Sequence, residues 1–268
     1  MKVAFLAFTL LRVSLALQQS GTDQGSPADN HGSARAPVLV ELFTSEGCSS
    51  CPPADALLAK LEEQQPVAGA EIIALEEHVD YWDQLGWVDP FSGAQWTERQ
   101  RDYAAARHDR GIYTPQIVVN GRVEFVGSHE RQARQAIAEA ASQVRTQIVI
   151  ARVNSDARGN GQFRISVGRL AGFTEGERAE VWLAITETGL HSAVRGGENS
   201  GVDVRHGAVV RSLRKLGTAG SAQEPSFTGD SAIKLEKTWN RQNLRAVVFV
   251  QESHSHHILG SAAIPIER

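Results

Sequence analysis

The chain has 268 residues, is 41% hydrophobic and carries 27 basic against 31 acidic side chains, a formal net charge of −4. That length suits one large or two ordinary cores, and a mildly acidic chain with no concentrated basic stripe excludes nucleic acid as a partner. Beyond the first residues no run approaches the roughly 20 apolar residues that cross a bilayer, so no membrane span is expected in the mature chain.

Met1 to Gln18 reads MKVAFLAFTLLRVSLALQ, with Lys2 ahead of an apolar core that Arg12 interrupts and a small-x-small site at Ser14-Leu15-Ala16. This predicts a signal peptide over 1–16 and a periplasmic or secreted protein, in a compartment that preserves disulfides. The following stretch, 17–36, is small, polar and without apolar period, as a flexible linker is. His31 belongs to it as a solvated residue.

Val38, Leu39, Val40, Leu42 and Phe43 form an apolar run suited to a strand buried on both faces. A turn at Ser45, Glu46 and Gly47 leads to Cys48, Ser49, Ser50 and Cys51, the chain's two cysteines, and Ala54, Leu57, Leu58 and Leu61 recur at helical spacing behind them. Cys51 continues that stripe, whereas Cys48 is expected at the open tip. An exposed thiol at a helix N-terminus meets unpaired N–H groups and the positive end of the dipole, which favour thiolate; Cys48 is therefore the candidate nucleophile and Cys51 the resolving thiol. A C-x-x-C is also half of a zinc site, but no further cysteine exists to complete one. A disulfide across so short a loop adds little entropic stability.

The strand, C-x-x-C and helix resemble the active-site unit of the thioredoxin superfamily over roughly residues 36–144. ELFTSEGCSSCPPAD is similar, more narrowly, to the uncharacterised secreted family known as domain of unknown function 1223, a likeness that continues to the C-terminus. One departure from thioredoxins is physical: Pro52 and Pro53 lack N–H groups, so the helix proper is expected to start at Pro52.

Glu71 to Leu75 is short enough for a second buried strand and runs into EEHVDYWDQLGWVDPF. Ligands gather outside the carboxyl ends of parallel strands, the edge that presents Cys48. Glu76, Glu77, His78, Asp80, Tyr81, Trp82, Asp83 and Trp87 are therefore expected around the cysteines, with Trp82 and Trp87 as a substrate-binding surface or as packing for the insertion. His78 is read as an influence on the thiolate. His78 and Asp80 on one strand end point apart, which argues against a metal there. A helix is expected from Thr97, with a solvated Arg and Asp face, to Gly111. Thr114-Pro115 opens the next apolar strand, and the resemblance implies a cis bond there that faces the cysteines and holds a partner chain. Asn120-Gly121 marks a hairpin, and Ala133, Ala136, Ile137, Ala140 and Ala141 line a last helix.

From Thr146 the pattern becomes strand-like: 147–153, 162–170, 180–187, 233–239, 246–251 and 258–266, separated by turn residues. The expected fold is an α/β thioredoxin-like domain, 37–145, followed by an antiparallel β-sandwich-like domain, 146–268. Its one helix is read at His206–Leu216, after a glycine-rich connection, Arg195–Gly201, that links sheets or shapes the cleft. His254, His256 and His257 are placed in an exposed hairpin loop that attracts only adventitious metal.

Three functional readings stand on these residues. The leading one is an exported thiol-disulfide redox protein, a candidate oxidoreductase without cofactor or metal, acting on a protein or small-molecule thiol or disulfide through Cys48 and Cys51, with Thr114, Pro115, His78, Trp82 and Trp87 on the substrate side. The second is a non-catalytic ligand- or protein-binding module with a permanent Cys48–Cys51 disulfide. The third is metal binding through Cys48, Cys51 and a histidine.

Overall fold

The computed structural model describes Met1 and residues 35–155, 161–220 and 224–267. Apart from Met1, the expected signal peptide and the linker up to residue 34 lie outside the described residues.

Ala34–Arg268 is one compact unit. In chain order its elements are β1 (Ala36–Thr44), α1 (Pro52–Gln64), β2 (Ala70–His78), α2 (Ala94–Arg107), β3 (Gln116–Val119), β4 (Val123–Val126), α3 (Glu130–Ala141), β5 (Ile148–Ser155), β6 (Gly161–Val167), β7 (Ala179–Glu187), β8 (Leu190–Ala193), β9 (Asp203–His206), β10 (Val209–Ala219), β11 (Phe227–Ile233), β12 (Leu244–Glu252) and β13 (Ile258–Pro265). A single mixed sheet runs β13-β12-β7-β10-β2-β1-β3-β4, a second holds β11-β6-β5, and β8 pairs with β9.

The doubly apolar pattern of β1 does what it predicts. Val38, Val40 and Leu42 pack with Leu57, Leu58 and Leu61 of α1 and Ala133 and Ile137 of α3. Leu39 and Phe43 face the other side, against Trp96 and Tyr103 of α2. β1 and β2 run parallel from Ala36↔Ala70 to Thr44↔His78, so His78 ends level with the residue that leads into the cysteine turn.

The expectation of a thioredoxin-like domain followed by a separate sandwich-like domain is overturned. The molecule is mostly β, and β7, β10, β12 and β13 of the second half extend the same sheet as β1 to β4. The join is β10, parallel to β2 at Val209↔Glu76. It is sealed by one apolar cluster that mixes Leu39, Phe43, Ile73 and Leu75 with Ala184, Val210, Val247 and Phe249. β5, β6 and β11 lie apart as a second sheet, packing Phe163, Ile165 and Val167 over Val181, Leu183, Val248 and Val250.

The stretch read as a helix at His206–Leu216 is mostly this strand. β10 pairs with β7 with register shifts between Val210 and Ser212 and between Lys215 and Gly217. A bulge adds one residue to a period of two, so Val210 and Leu213 enter the same core at a spacing of three. That spacing imitates a helical stripe.

Candidate functional site

Ser45 opens the turn after β1, and its carbonyl accepts from the Cys48 N–H at 3.1 Å; the Cys48 carbonyl accepts from Cys51 N–H at 3.1 Å. The Cys51 carbonyl then accepts from Ala54 and Asp55 N–H, at 2.8 and 3.1 Å, which starts α1 at Pro52 as the two prolines require. Cys48 and Cys51 form a disulfide, Cα to Cα 5.4 Å. Both residues are 0% exposed. Cys48 is thus not at an open tip.

The cover comes from the β8–β9 connection, Arg195–Gly201. Asn199 Nδ2 donates to the carbonyls of Glu46 at 2.8 Å and Cys48 at 2.9 Å. Glu198 accepts from the Ser49 N–H at 3.3 Å. Gly196 lies so near the 3-10 turn after β2 that a Cβ there would stand 2.3 Å from the Gly86 carbonyl, and Gly197 rests on Trp87 with φ +68°. Glycine at these positions lets the loop close down.

Beneath the turn lies a chain of buried ionisable groups. Trp87 Nε1 donates to Glu46 Oε2 at 2.7 Å, and Glu46 Oε1 meets His206 Nε2 at 3.1 Å. His206 Nδ1 meets Glu76 Oε1 at 2.7 Å, while Glu76 Oε2 accepts from the Gly207 N–H at 2.6 Å. His78 Nδ1 meets Asp89 Oδ2 at 2.7 Å, and Asp89 accepts from the N–H groups of Glu46 and Phe91 at 2.8 and 2.9 Å. Beside it, Asp55 Oδ1 accepts from Thr44 Oγ1 at 2.5 Å.

Burial and charge pull these groups apart. Burial, with Glu76 adding to it, pushes the Asp55 carboxyl up to about 7. Burial would raise Glu76 too, but His206 and His78 outweigh it and hold the carboxylate at about 2. Burial opposes charge on the imidazoles; hydrogen bonds to Glu46 and Glu76 nevertheless raise His206 to about 9, and Asp89 with Glu76 holds His78 well above its ordinary value. Asp89 is lowered: burial acts upward, and His78 overrides it.

A model of the family described as protein of unknown function (DUF1223) matches residues 39–251. The chain belongs to this family. Among solved structures, a protein from Agrobacterium tumefaciens is similar at 24% identity and a TM-score of 0.64, covering 87% of this chain and 96% of that one. HBP35 of Porphyromonas gingivalis is similar at 14% identity and a TM-score of 0.63, covering 88% of this chain and 77% of that one. At these identities the likeness is one of fold alone. No curated protein matches the chain.

In this DUF1223 chain some of the residues expected around the cysteines are held near the cysteine turn, and others are not. Trp82 Nε1 donates to Thr114 Oγ1 at 2.8 Å, and its own Cβ lies 3.1 Å from where a Cβ on Gly47 would stand. The Thr114–Pro115 bond is cis, and Pro115 precedes the strand whose Gln116 pairs with Phe43 of β1. Trp87 reaches Glu46, and His78 sits in the buried chain. Asp80 turns away and accepts from Thr97 Oγ1 at 2.6 Å.

Arg99 departs from the expected solvated face of α2. It is buried, pairing with Glu41 at 2.6 Å and Glu77 at 3.3 Å and donating to Gln251 of β12 at 3.1 Å. The C-terminal histidines lie in the β12–β13 hairpin loop: His254 is exposed and meets Glu177 at 3.0 Å, whereas His256 is half-buried and packs on Tyr103.

His206, Asn199, Asp89 and Asp55 are the site residues that the sequence did not single out. Asp55 alone left a signal, four residues from Cys51 on an otherwise apolar stripe.

Proposed function

We propose that this family member is an exported thiol-disulfide redox protein whose centre is the Cys48–Cys51 pair. The observation that carries the reading is the disulfide at the mouth of α1 with a protonatable carboxyl, Asp55, one helical turn from Cys51 and poised at about 7. Reduction of a disulfide takes up two electrons and two protons, and a buried pair needs a proton carrier inside the protein. In the reducing direction the Cys48 thiolate attacks one sulfur of a substrate disulfide and expels the other as a thiolate. Asp55 accepts the Cys51 proton, and the Cys51 thiolate attacks Cys48 Sγ, which closes the internal disulfide and expels the second substrate sulfur as a thiolate, protonated from Asp55 or from water. The reverse sequence oxidises a dithiol.

The local strand, C-x-x-C and helix with a cis Thr114–Pro115 resemble the thioredoxin superfamily, and that likeness supports the Thr114 backbone as the holder of an extended partner. Trp82 stands against it, its Nε1 donating to Thr114 Oγ1 at 2.8 Å. The loop carrying Asn199 must lift before any substrate sulfur reaches Cys48.

One observation favours a second reading, a binding module with a permanent disulfide: both sulfurs are fully buried. Trapping separates the two. Cys51→Ser, incubated with a disulfide-bonded peptide, accumulates a mixed disulfide at Cys48 if the pair exchanges. An unmodified Cys48 under conditions that label it after denaturation would sink the redox reading.

A further inference from the structure

We infer that Glu76, His78 and His206 form a buried binding site for one divalent transition-metal ion of the zinc class, independent of the cysteines. The three offer Glu76 Oε1, His78 Nε2 and a ring nitrogen of His206 within 4.8 Å of one another. Glu76 Oε1 lies 2.7 Å from His206 Nδ1 and 3.4 Å from His78 Nε2. Four-coordinate zinc, with bonds of roughly 2.0–2.2 Å, sets neighbouring ligand atoms about 3.3 Å apart. Small side-chain shifts therefore convert this cluster into three corners of a tetrahedron. Two imidazoles and one carboxylate are the donor set of an open zinc site.

A second observation points into the same space. His78 is 1% exposed, and its Nε2 has no hydrogen-bond partner among the described residues, although it faces Glu76. A self-sufficient ion-pair network would have satisfied that nitrogen, because a buried unpaired polar atom costs about 1–3 kcal/mol. Every other polar atom of the three ligands is committed outward, as a metal site requires. His78 Nδ1 is held by Asp89, His206 Nε2 by Glu46, and Glu76 Oε2 by the Gly207 N–H. A carboxylate on the far nitrogen of each metal-ligating imidazole fixes its tautomer and strengthens the bond. Here both imidazoles have one, and both carboxylates are themselves anchored, Asp89 by two backbone N–H groups and Glu46 by Trp87.

Entry has a route. His206 and Gly207 line a cavity of about 650 Å³ between α1, the β7–β8 turn and the β8–β9 pair, with Glu62, Asp203 and Arg245 among its walls. Glu62 is paired with Arg245 at 2.9 Å, and Asp203 shares the wall with Arg205.

The test uses the full chain without an affinity tag, stripped with a chelator and titrated with zinc against a chromophoric competitor. One zinc per chain is expected, and a cobalt-loaded sample should show the visible absorption of a tetrahedral site. His206→Gln should weaken zinc at least 100-fold, and Asp89→Asn, which touches no metal, about 10–100-fold. The triple variant H254A/H256A/H257A should bind as the parent does. Circular dichroism and denaturation midpoints accompany each variant; if His206→Gln does not fold, Asp89→Asn decides alone. Parental affinity in a folded Asp89→Asn and His206→Gln, loss of zinc in the triple histidine variant, or absence of stoichiometric binding in the parent overturns the site. Cys48→Ser/Cys51→Ser should retain the zinc, which keeps this result separate from the redox reading.

Discussion

Asn199→Ala tests whether the β8–β9 loop guards the disulfide. The side chain donates two buried hydrogen bonds, at 2.8 Å to the Glu46 carbonyl and 2.9 Å to the Cys48 carbonyl. A buried intramolecular hydrogen bond is worth about 1 kcal/mol net, so truncation makes lifting the loop about 2 kcal/mol easier. If lifting is a rapid pre-equilibrium to attack, the rate rises with the open fraction, and about 2 kcal/mol corresponds to roughly 30-fold. The assay is the pseudo-first-order rate of disulfide reduction by a small dithiol, with the parent and variant compared both native and in denaturant. The native rates should differ by about 10–100-fold and the denatured rates should coincide. Native rates equal within about twofold would refute the loop as a gate.

Gly196→Ala strikes the same gate by geometry. Its Cβ would stand 2.3 Å from the Gly86 carbonyl, so reduction should accelerate at a stability cost of about 1–3 kcal/mol; an unaltered rate contradicts the packing described. Asp55 sets a pH signature. Its folded pKa of about 7 lies above its ordinary 3.8, so between those values the folded chain keeps a proton that the unfolded chain has lost. Stability from this group is complete at the acid end and declines as pH rises toward 7, at up to about 1.4 kcal/mol per pH unit. Asp55→Asn should flatten the denaturation midpoint across that window, and a profile parallel to the parent's would refute the assignment. Arg99→Met leaves Glu41 and Glu77 buried without their cation; a loss of about 3–5 kcal/mol is expected in urea unfolding, and a loss below about 1 kcal/mol would mean the pair carries no stability.

What could be read from the sequence was local. The β1, C-x-x-C and α1 unit follows from an apolar run, two prolines and a leucine stripe, all within thirty or so residues. Trp82 and Trp87 reached the site because they follow β2, whose parallel register with β1 fixes where its end lies. The long-range features were not legible. Asn199 covers Cys48 from 151 positions away, and His206 meets Glu76 from 130. Neither residue has a periodicity or motif that names its partner. The separate second domain failed for a related reason: the turn-punctuated strands after Thr146 declare themselves antiparallel, but not which edge they will pair with. The parallel junction at Val209 and Glu76 decides that. Bulges in β10 then gave its apolar residues a helical spacing. Arg99 was read as solvated because charge usually faces water, whereas two carboxylates inside the sheet, Glu41 and Glu77, had already made a buried place for it.

The central claim is that the Cys48–Cys51 pair turns over in the native protein, and its most direct test is the reduction potential by equilibration with glutathione, with trapped thiols counted by alkylation. Reversible titration between about −270 and −120 mV, the span of catalytic pairs, is the result expected. A native disulfide that stays closed against excess reduced glutathione, with a potential below about −300 mV, and opens only in denaturant would contradict it.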